Sequence, residues 1–439
     1  MKLELNRSII VGLTQLLYFS ILLTPFLPPV ALVCIGMLTF FHFKGKWNIK
    51  GWPERIFIGF ALLSCISWYF NPSWFDNGIP IGLISVSMFV LYFLLTVWIR
   101  QVVQWSWEEV QQMYIRFWLG GLFVAAIVII QQVDWPVINE NTFLKHLLDF
   151  YSHYRWQSEN SVRSVGTAGN SNLAAAMLIC FALMSIYASS VLQKMWQKVA
   201  AFGALAVFCI AIWSTGSRGA WVGLVIGLIV QVWMTGHRKR TVALTCLLIV
   251  AVIFYPDLIP RNDTLMSTFF VRFKVWSTAF EIFREHWLVG VLPLHFGQLF
   301  LEKAGFYVFH AHNVILGVAS EFGIIGLMLF VALVLMTIRR ARHWRKAAET
   351  KEEKRLAGML ISQTIALLGH GMYDYPIISP QVGLIFMLSV IIIHTQSDRI
   401  SKELSLPESK EIQDFPAIDY KWVSSLFIFL REFWKIKRL

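Results

Sequence analysis

Residues 312–337 read HNVILGVASEFGIIGLMLFVALVLMT, with Glu321 as the only carboxylate. A helix needs about 20 largely apolar residues to cross roughly 30 Å of hydrocarbon, so this stretch reads as a membrane span. Arg339, Arg340, Arg342, Arg345 and Lys346 follow it, a basic cluster of the kind that marks the cytoplasmic side. Similar apolar blocks lie at 9–27, 30–43, 54–70, 79–99, 113–131, 172–192, 199–215, 219–235 and 242–255 before it, and at 357–374 and 377–394 after it. The expected fold class is an all-α polytopic integral membrane protein with about 12 transmembrane helices. Of the 439 residues 57% are hydrophobic and 15% charged, against about 25% charged in a soluble domain, which excludes an ordinary cytosolic enzyme.

The spacing of the blocks sets the organisation. Residues 1–131 hold spans 1–5, 132–171 form a long loop, 172–255 hold spans 6–9, 256–311 form a second long loop, 312–394 hold spans 10–12, and 395–439 form a tail. With both termini cytoplasmic, 29 of the 38 Lys and Arg lie inside and 9 outside, and both long loops are extracytoplasmic. The net charge of +12 reflects this bias and calls for no nucleic acid. Loops this long with internal pattern are commonly functional. Each contains a helical stretch, Thr142–Tyr154 and Ser267–Trp287, and the second aligns Arg272, Trp276, Phe280 and Phe283 by i, i+4 spacing. In the tail, Trp422, Leu426, Phe429 and Phe433 alternate with Arg431, Lys435, Lys437 and Arg438, as in a helix lying on the cytoplasmic leaflet and bound to membrane lipids. All five cysteines sit in apolar blocks, so neither a disulfide framework nor a zinc site is expected. The first block is long and lacks a small-x-small cleavage site, so it reads as a retained span.

No P-loop, GxGxxG, HExxH or GxSxG context is present, and no cofactor is expected. What stands out is charge at the outer ends of spans. Ser217-Arg218-Gly219 sits at a tight outside turn, where an arginine either snorkels to water or faces an anion. His310-Ala311-His312-Asn313 closes the second loop and opens the tenth span; a histidine there is a candidate general base or a solvated cap. Glu321 is nine residues further on, about 13 Å along a helix, which makes it a packing or hydrogen-bonding partner. His370 and Asp374 share a face by i, i+4 spacing and either orient His312 or cap their own helix. Arg272, in the second loop, and Arg163, in the first, are further outside arginines. Guanidinium forks match diphosphate oxygens, an imidazole can take a hydroxyl proton, and arginines can neutralise a departing diphosphate without a metal.

At these residues the chain resembles the bacterial O-antigen ligase and O-antigen polymerase family. Ser217-Arg218-Gly219, the stretch from Arg272 through Trp276 to His286-Trp287-Leu288-Val289-Gly290-Val291, and His312-Asn313 with Glu321-Phe322-Gly323 and Gly326-Leu327 look like its signature segments in order. Gly166 to Ala174 is similar to the family's segment after the first long loop, and the match covers roughly 160–380. The chain departs from the family where Gly-x-Gly is common, having Gly290-Val291-Leu292-Pro293. The resemblance implies a glycosyltransferase of the bacterial cytoplasmic (inner) membrane that moves a glycan from an undecaprenyl-pyrophosphate donor to a hydroxyl of a glycan, lipid or protein acceptor. It implies His312 as the catalytic base. Arg218 and Arg272 would hold the pyrophosphate, with Asn313, His310 and Arg163 as further substrate contacts and no metal. Ligase and polymerase are not separated by these residues.

A transporter or flippase of a lipid-linked or anionic solute is the alternative from another class. It would distribute polar groups across the bilayer, whereas the titratable residues here cluster at the outer surface. A peptidoglycan polymerase of the shape, elongation and division type shares the polytopic plan but lacks these paired motifs.

Overall fold

The computed structural model describes residues 7–42, 49, 51–70, 75–76, 79–132, 142–153, 163–234, 239, 243, 246, 260–261 and 264–403. The chain divides into two compact units, residues 1–396 and 397–439, and the second is described only to residue 403. The helices of the described residues are α1 (Arg7–Leu23), α2 (Leu27–His42), α3 (Trp52–Phe70), α4 (Ile81–Val97), α5 (Trp107–Ile130), α6 (Thr142–His153), α7 (Ser171–Val191), α8 (Met195–Thr215), α9 (Arg218–Met234), α10 (Leu265–Glu285), α11 (His295–Ala304), α12 (Val314–Ala347), α13 (Lys351–Gly371) and α14 (Pro380–Glu403). A π-helical turn, Trp98–Val103, extends α4. Between α3 and α4, Phe75–Asp76 pairs antiparallel with Ile79–Pro80.

Among the described residues, six helical stretches are long and apolar enough to cross a membrane: Gly82–Val103, Trp107–Ile130, Ser171–Val191, Met195–Ser214, Val314–Ala347 and Pro380–Ser401. Arg7–Leu23, Leu27–Phe40 and Arg218–Met234 are shorter apolar helices. The architecture is that of an all-helical polytopic membrane protein. Of the expected ninth span, 242–255, residues 243 and 246 alone are described, and the tail helix from Phe415 falls outside the described residues. The expected loop helices form, as α6 and α10, and α11 joins them. α12 runs ten residues past the expected end at Thr337, to Ala347, because its Arg- and Lys-rich continuation contains good helix formers and no Gly or Pro. α13 starts earlier than expected, where the Thr350 side chain accepts from Glu353 N, and it stops at Gly371, short of Asp374.

Polar contacts gather the helix termini into two sets. Arg7 on α1 pairs with Glu109 on α5, Arg100 with the buried Glu54 at the start of α3, Arg355 Nη1 donates to Ser190 O at 2.8 Å, and Arg345 donates to Met234 O. The opposite termini are tied by Arg163 to Thr215 O, Arg218 to Arg261 O, Asn313 to Met372 O and His312 to Asp374. α9 and α13 approach closely through Gly219, Gly223 and Gly227, a small-residue stripe at four-residue spacing of the kind that lets membrane helices pack backbone to backbone. A Cβ at Gly223 would lie 2.7 Å from Ala366 O and 2.9 Å from His370 Cβ. This contact seats Arg218 beside the end of α13.

α12 is broken at Gly323, whose φ of 65° and ψ of −168° interrupt the helix. The break is filled by the segment after α10. Ile324 N donates to Trp287 O at 2.7 Å, while Val291 N and Leu292 N donate to Ser320 O and Glu321 O at 3.0 and 2.7 Å. Non-helical backbone at membrane depth is tolerated only when protein supplies its hydrogen bonds, and these three supply them. Contact this close needs glycine on both sides. A Cβ at Gly290 would lie 2.3 Å from the Glu321 carbonyl carbon, and one at Gly323 the same distance from that of Leu288. Gly290→Ala and Gly323→Ala should therefore lower the thermal unfolding midpoint of the detergent-purified protein sharply, whereas Gly203→Ala, which faces open space, should leave it within about 2 °C. Equal midpoints for all three would contradict the docked break.

Candidate functional site

The site is built where α12 begins and α13 ends. Asn313 caps α12, its Oδ1 accepting from Ile315 N and Leu316 N at 2.9 and 3.1 Å, while its Nδ2 donates to Met372 O at 3.1 Å. One residue thus fixes the start of α12 against the turn that carries Asp374. The preceding residue, His312, holds φ at 48°, a left-handed conformation that costs a non-glycine residue about 1–2 kcal/mol and persists at functional sites when the surroundings enforce it. The indole of Trp276, on α10, donates to the His312 carbonyl at 3.3 Å.

Asp374 is the centre of the cluster. Its carboxyl is 3% exposed and accepts from His312 Nδ1 at 2.8 Å and from Tyr375 N at 2.9 Å. Burial pushes this carboxyl up, but the hydrogen bond and charge of His312, with the other imidazoles, outweigh it and hold Asp374 well below the usual carboxylate range. An ionised carboxylate only accepts, so His312 Nδ1 carries a proton and, in the neutral ring, Nε2 is left as the basic nitrogen. The ring is 32% exposed. This is an imidazole held in one tautomer by a buried carboxylate, the pairing that orients a general base.

His310 completes the cluster, with Nε2 at 3.7 Å from Asp374 Oδ1. Its Nδ1 accepts from the His312 backbone N–H at 3.2 Å, which puts the proton of the neutral ring on Nε2. Burial, then the neighbouring His312 charge, pushes this imidazole down to about 3 against the pull of Asp374. His310, His312 and Asp374 each offer a ligand atom within 4.8 Å of the others, so they are the residues that could hold a metal. A cation held by Asp374 Oδ1 together with His312 Nδ1 would displace the proton between them, whereas one on His312 Nε2 would leave that hydrogen bond in place.

Basic residues lie around this cluster. Arg272 on α10 is partly buried, and burial lowers its guanidinium, with Asp374 opposing and Arg261 adding to the drop. Arg163 donates to Thr215 O and to Asn172 Oδ1, each at 2.8 Å, gripping the end of α8 and the start of α7. Arg218 Nη1 donates to Arg261 O at 3.1 Å. His370 and Glu321 are fully buried, His370 against Gly219 and Glu321 at the break in α12. The face expected on α10 divides: Arg272 and Trp276 turn toward the cluster, while Phe280 is 50% exposed. The resulting arrangement brings together His310, His312, Asn313, Asp374 and Trp276, with electrostatic reach to Arg272. Sequence reasoning missed Arg261 and Tyr375, which lie in irregular segments where no periodicity marks them.

The low value of His310 makes stability depend on pH. An unfolded histidine takes a proton near about 6.5, whereas folded His310 stays neutral down to about 3, so the unfolded chain binds more protons in that window and stability falls as pH drops through it. His310→Gln should flatten the dependence of the unfolding midpoint between pH 6.5 and about 4. A slope equal to that of the wild type would show that His310 is not held neutral.

Residues 202–331 match a family model described as O-antigen ligase. Among the curated proteins, none matches the chain. The matched segment contains Arg218, Arg272, His310, His312, Asn313 and Glu321, while Arg163, His370 and Asp374 lie outside it. Over residues 202–331 the chain's resemblance to the O-antigen ligase family holds, and with it a membrane glycan-transfer function in general.

Proposed function

We propose that the protein is a metal-independent glycosyltransferase of the bacterial cytoplasmic membrane, with an undecaprenyl-pyrophosphate-linked glycan as donor and a hydroxyl of a glycan, lipid or protein as acceptor. The observation that carries this reading is the 2.8 Å contact between His312 Nδ1 and buried Asp374, in a chain whose matched segment supports glycan transfer. The acceptor oxygen attacks the anomeric carbon and the carbon–oxygen bond to the diphosphate breaks. His312 Nε2 takes the hydroxyl proton, and the diphosphate leaves on its lipid with its charge held by Arg218 and Arg272. Attack opposite the leaving group inverts the anomeric configuration. Asp374 stabilises the imidazolium that forms, Asn313 positions His312 through the α12 cap, and His310 shields Asp374 from water. His370, Glu321 and Arg163 support the surrounding helix ends.

In this reading the site faces the extracytoplasmic side, with twelve spans, both termini cytoplasmic and the domain limits set by the apolar blocks. The two sets of helix termini support that alternation, since every contact named above joins termini assigned to the same side. Met234 and Arg261 stand in opposite sets, as a span at 242–255 requires. The transport alternative gains no comparable support, because the polar cluster sits at one end of the bundle.

The test is transfer in detergent from a lipid-linked oligosaccharide to candidate acceptors, with product length read by electrophoresis: one addition indicates a ligase and a ladder a polymerase. His312→Ala should lower kcat about 10²- to 10⁴-fold with donor KM nearly unchanged. Arg218→Lys and Arg272→Lys, which keep charge but lose the planar fork, should weaken transfer through the donor. EDTA should leave the wild type active. Absence of transfer to any hydroxyl acceptor, or a fully active His312→Ala variant, would overturn the proposal.

A further inference from the structure

Arg261 belongs to no motif of the sequence, yet the outer turn is organised around it. Its φ of 57° is left-handed, and its carbonyl accepts from Arg218 Nη1, Thr264 N and Thr264 Oγ1, each at 3.1 Å. Three donors on one carbonyl fix the backbone and therefore the direction in which the side chain leaves. That side chain converges with Arg163 over Gly216: from the position of a Cβ there, Arg261 Cδ lies at 3.4 Å and Arg163 Nε at 3.5 Å. Arg218 begins two residues later, and Arg272 feels the Arg261 charge.

One nitrogen of the Arg261 guanidinium, Nε, is left unsatisfied. Arg261 Nε is buried, and among the described residues nothing accepts its proton. Nor does any described carboxylate pair with it. A buried donor without an acceptor costs about 1–3 kcal/mol, and more when charged. Placing it among three other guanidinium groups adds like-charge repulsion. Both costs fall when an anion with several oxygens enters, because Arg261 Nε then finds an acceptor and the repulsion becomes shared attraction.

We propose that Arg261 is a further substrate-binding residue, donating Nε–H and its terminal amino protons to the diphosphate of the donor beside Arg163 and Arg218. This inference rests on the proposed donor. In it Arg261 has two separable duties: its backbone carbonyl positions Arg218, a duty any side chain leaves intact, and its side chain binds phosphate oxygens.

The two duties give the test. Inorganic pyrophosphate binding to the detergent-purified full chain is measured by calorimetry, beside transfer kinetics and thermal unfolding, for wild type, Arg261→Gln and Arg261→Lys. Loss of a charge-assisted hydrogen bond predicts a pyrophosphate Kd raised about 10- to 100-fold in Arg261→Gln. The donor KM should rise with it, Arg261→Lys should be intermediate, and without ligand neither variant should unfold at a lower midpoint than the wild type. Should Arg261→Gln fail to fold, a smaller rise in Arg261→Lys at a midpoint no lower than that of the wild type supports the inference. Wild-type Kd and KM in a folded variant would overturn it while leaving the proposed function standing. A wild-type protein that transfers no glycan and binds no pyrophosphate would overturn both.

Discussion

A carboxylate taken out of water costs several kcal/mol unless donors surround it, and Asp374 is buried at the end of α13 with His312 Nδ1 and Tyr375 N directed at it. That requirement organises this end of the bundle. Bringing His312 to the carboxylate needs α12 to start beside the last turn of α13, which the Asn313 link to Met372 enforces. It also needs His312 in a left-handed conformation. Keeping water from Asp374 needs His310 beside it, and burial is what keeps His310 neutral. Each strained or buried feature of the cluster is a consequence of one ionised group.

The same economy appears at the break in α12. A straight helix through Gly323 would leave no place for residues 287–292, and that segment ends α10, which carries Arg272 and Trp276. Donating Val291 N and Leu292 N to the freed carbonyls anchors α10 and α11 to α12. Val275, Ala279 and Ile282 of α10 then pack with Phe296 and Phe300 of α11 and with Ala311, next to the histidines. Rigid packing of this kind fixes His312 to the tolerance that the proposed base requires. The close approach of α9 to α13 serves Arg218 in the same way.

Much of this was legible in the residues because hydropathy and charge leave strong one-dimensional signals. The apolar blocks located the described spans, the paired turns located Arg218 and His312, and i, i+4 spacing put Arg272 and Trp276 on one side of α10. What stayed hidden depends on tertiary contact. Asp374 was expected to share a helical face with His370, yet α13 ends at Gly371 and the carboxylate reaches His312 from the turn beyond. Asn313 read as a substrate contact, and no local pattern shows that its side chain also caps α12 and donates to Met372 O. Arg261 sits in irregular chain, where neither periodicity nor a local motif marks a residue whose partners are distant in sequence. The glycines at 290 and 323 were visible, but not that they face each other's backbone.

The most direct test is the protonation of the His312 ring itself. Nitrogen-15 magnetic resonance of the histidine-labelled protein at neutral pH, with the His312 signals assigned by their loss in His312→Gln, reports which ring nitrogen carries the proton. The account predicts a proton on Nδ1 and a bare Nε2, with that preference lost in Asp374→Ala. A proton on Nε2 in the wild type, or an identical spectrum in Asp374→Ala, would contradict it.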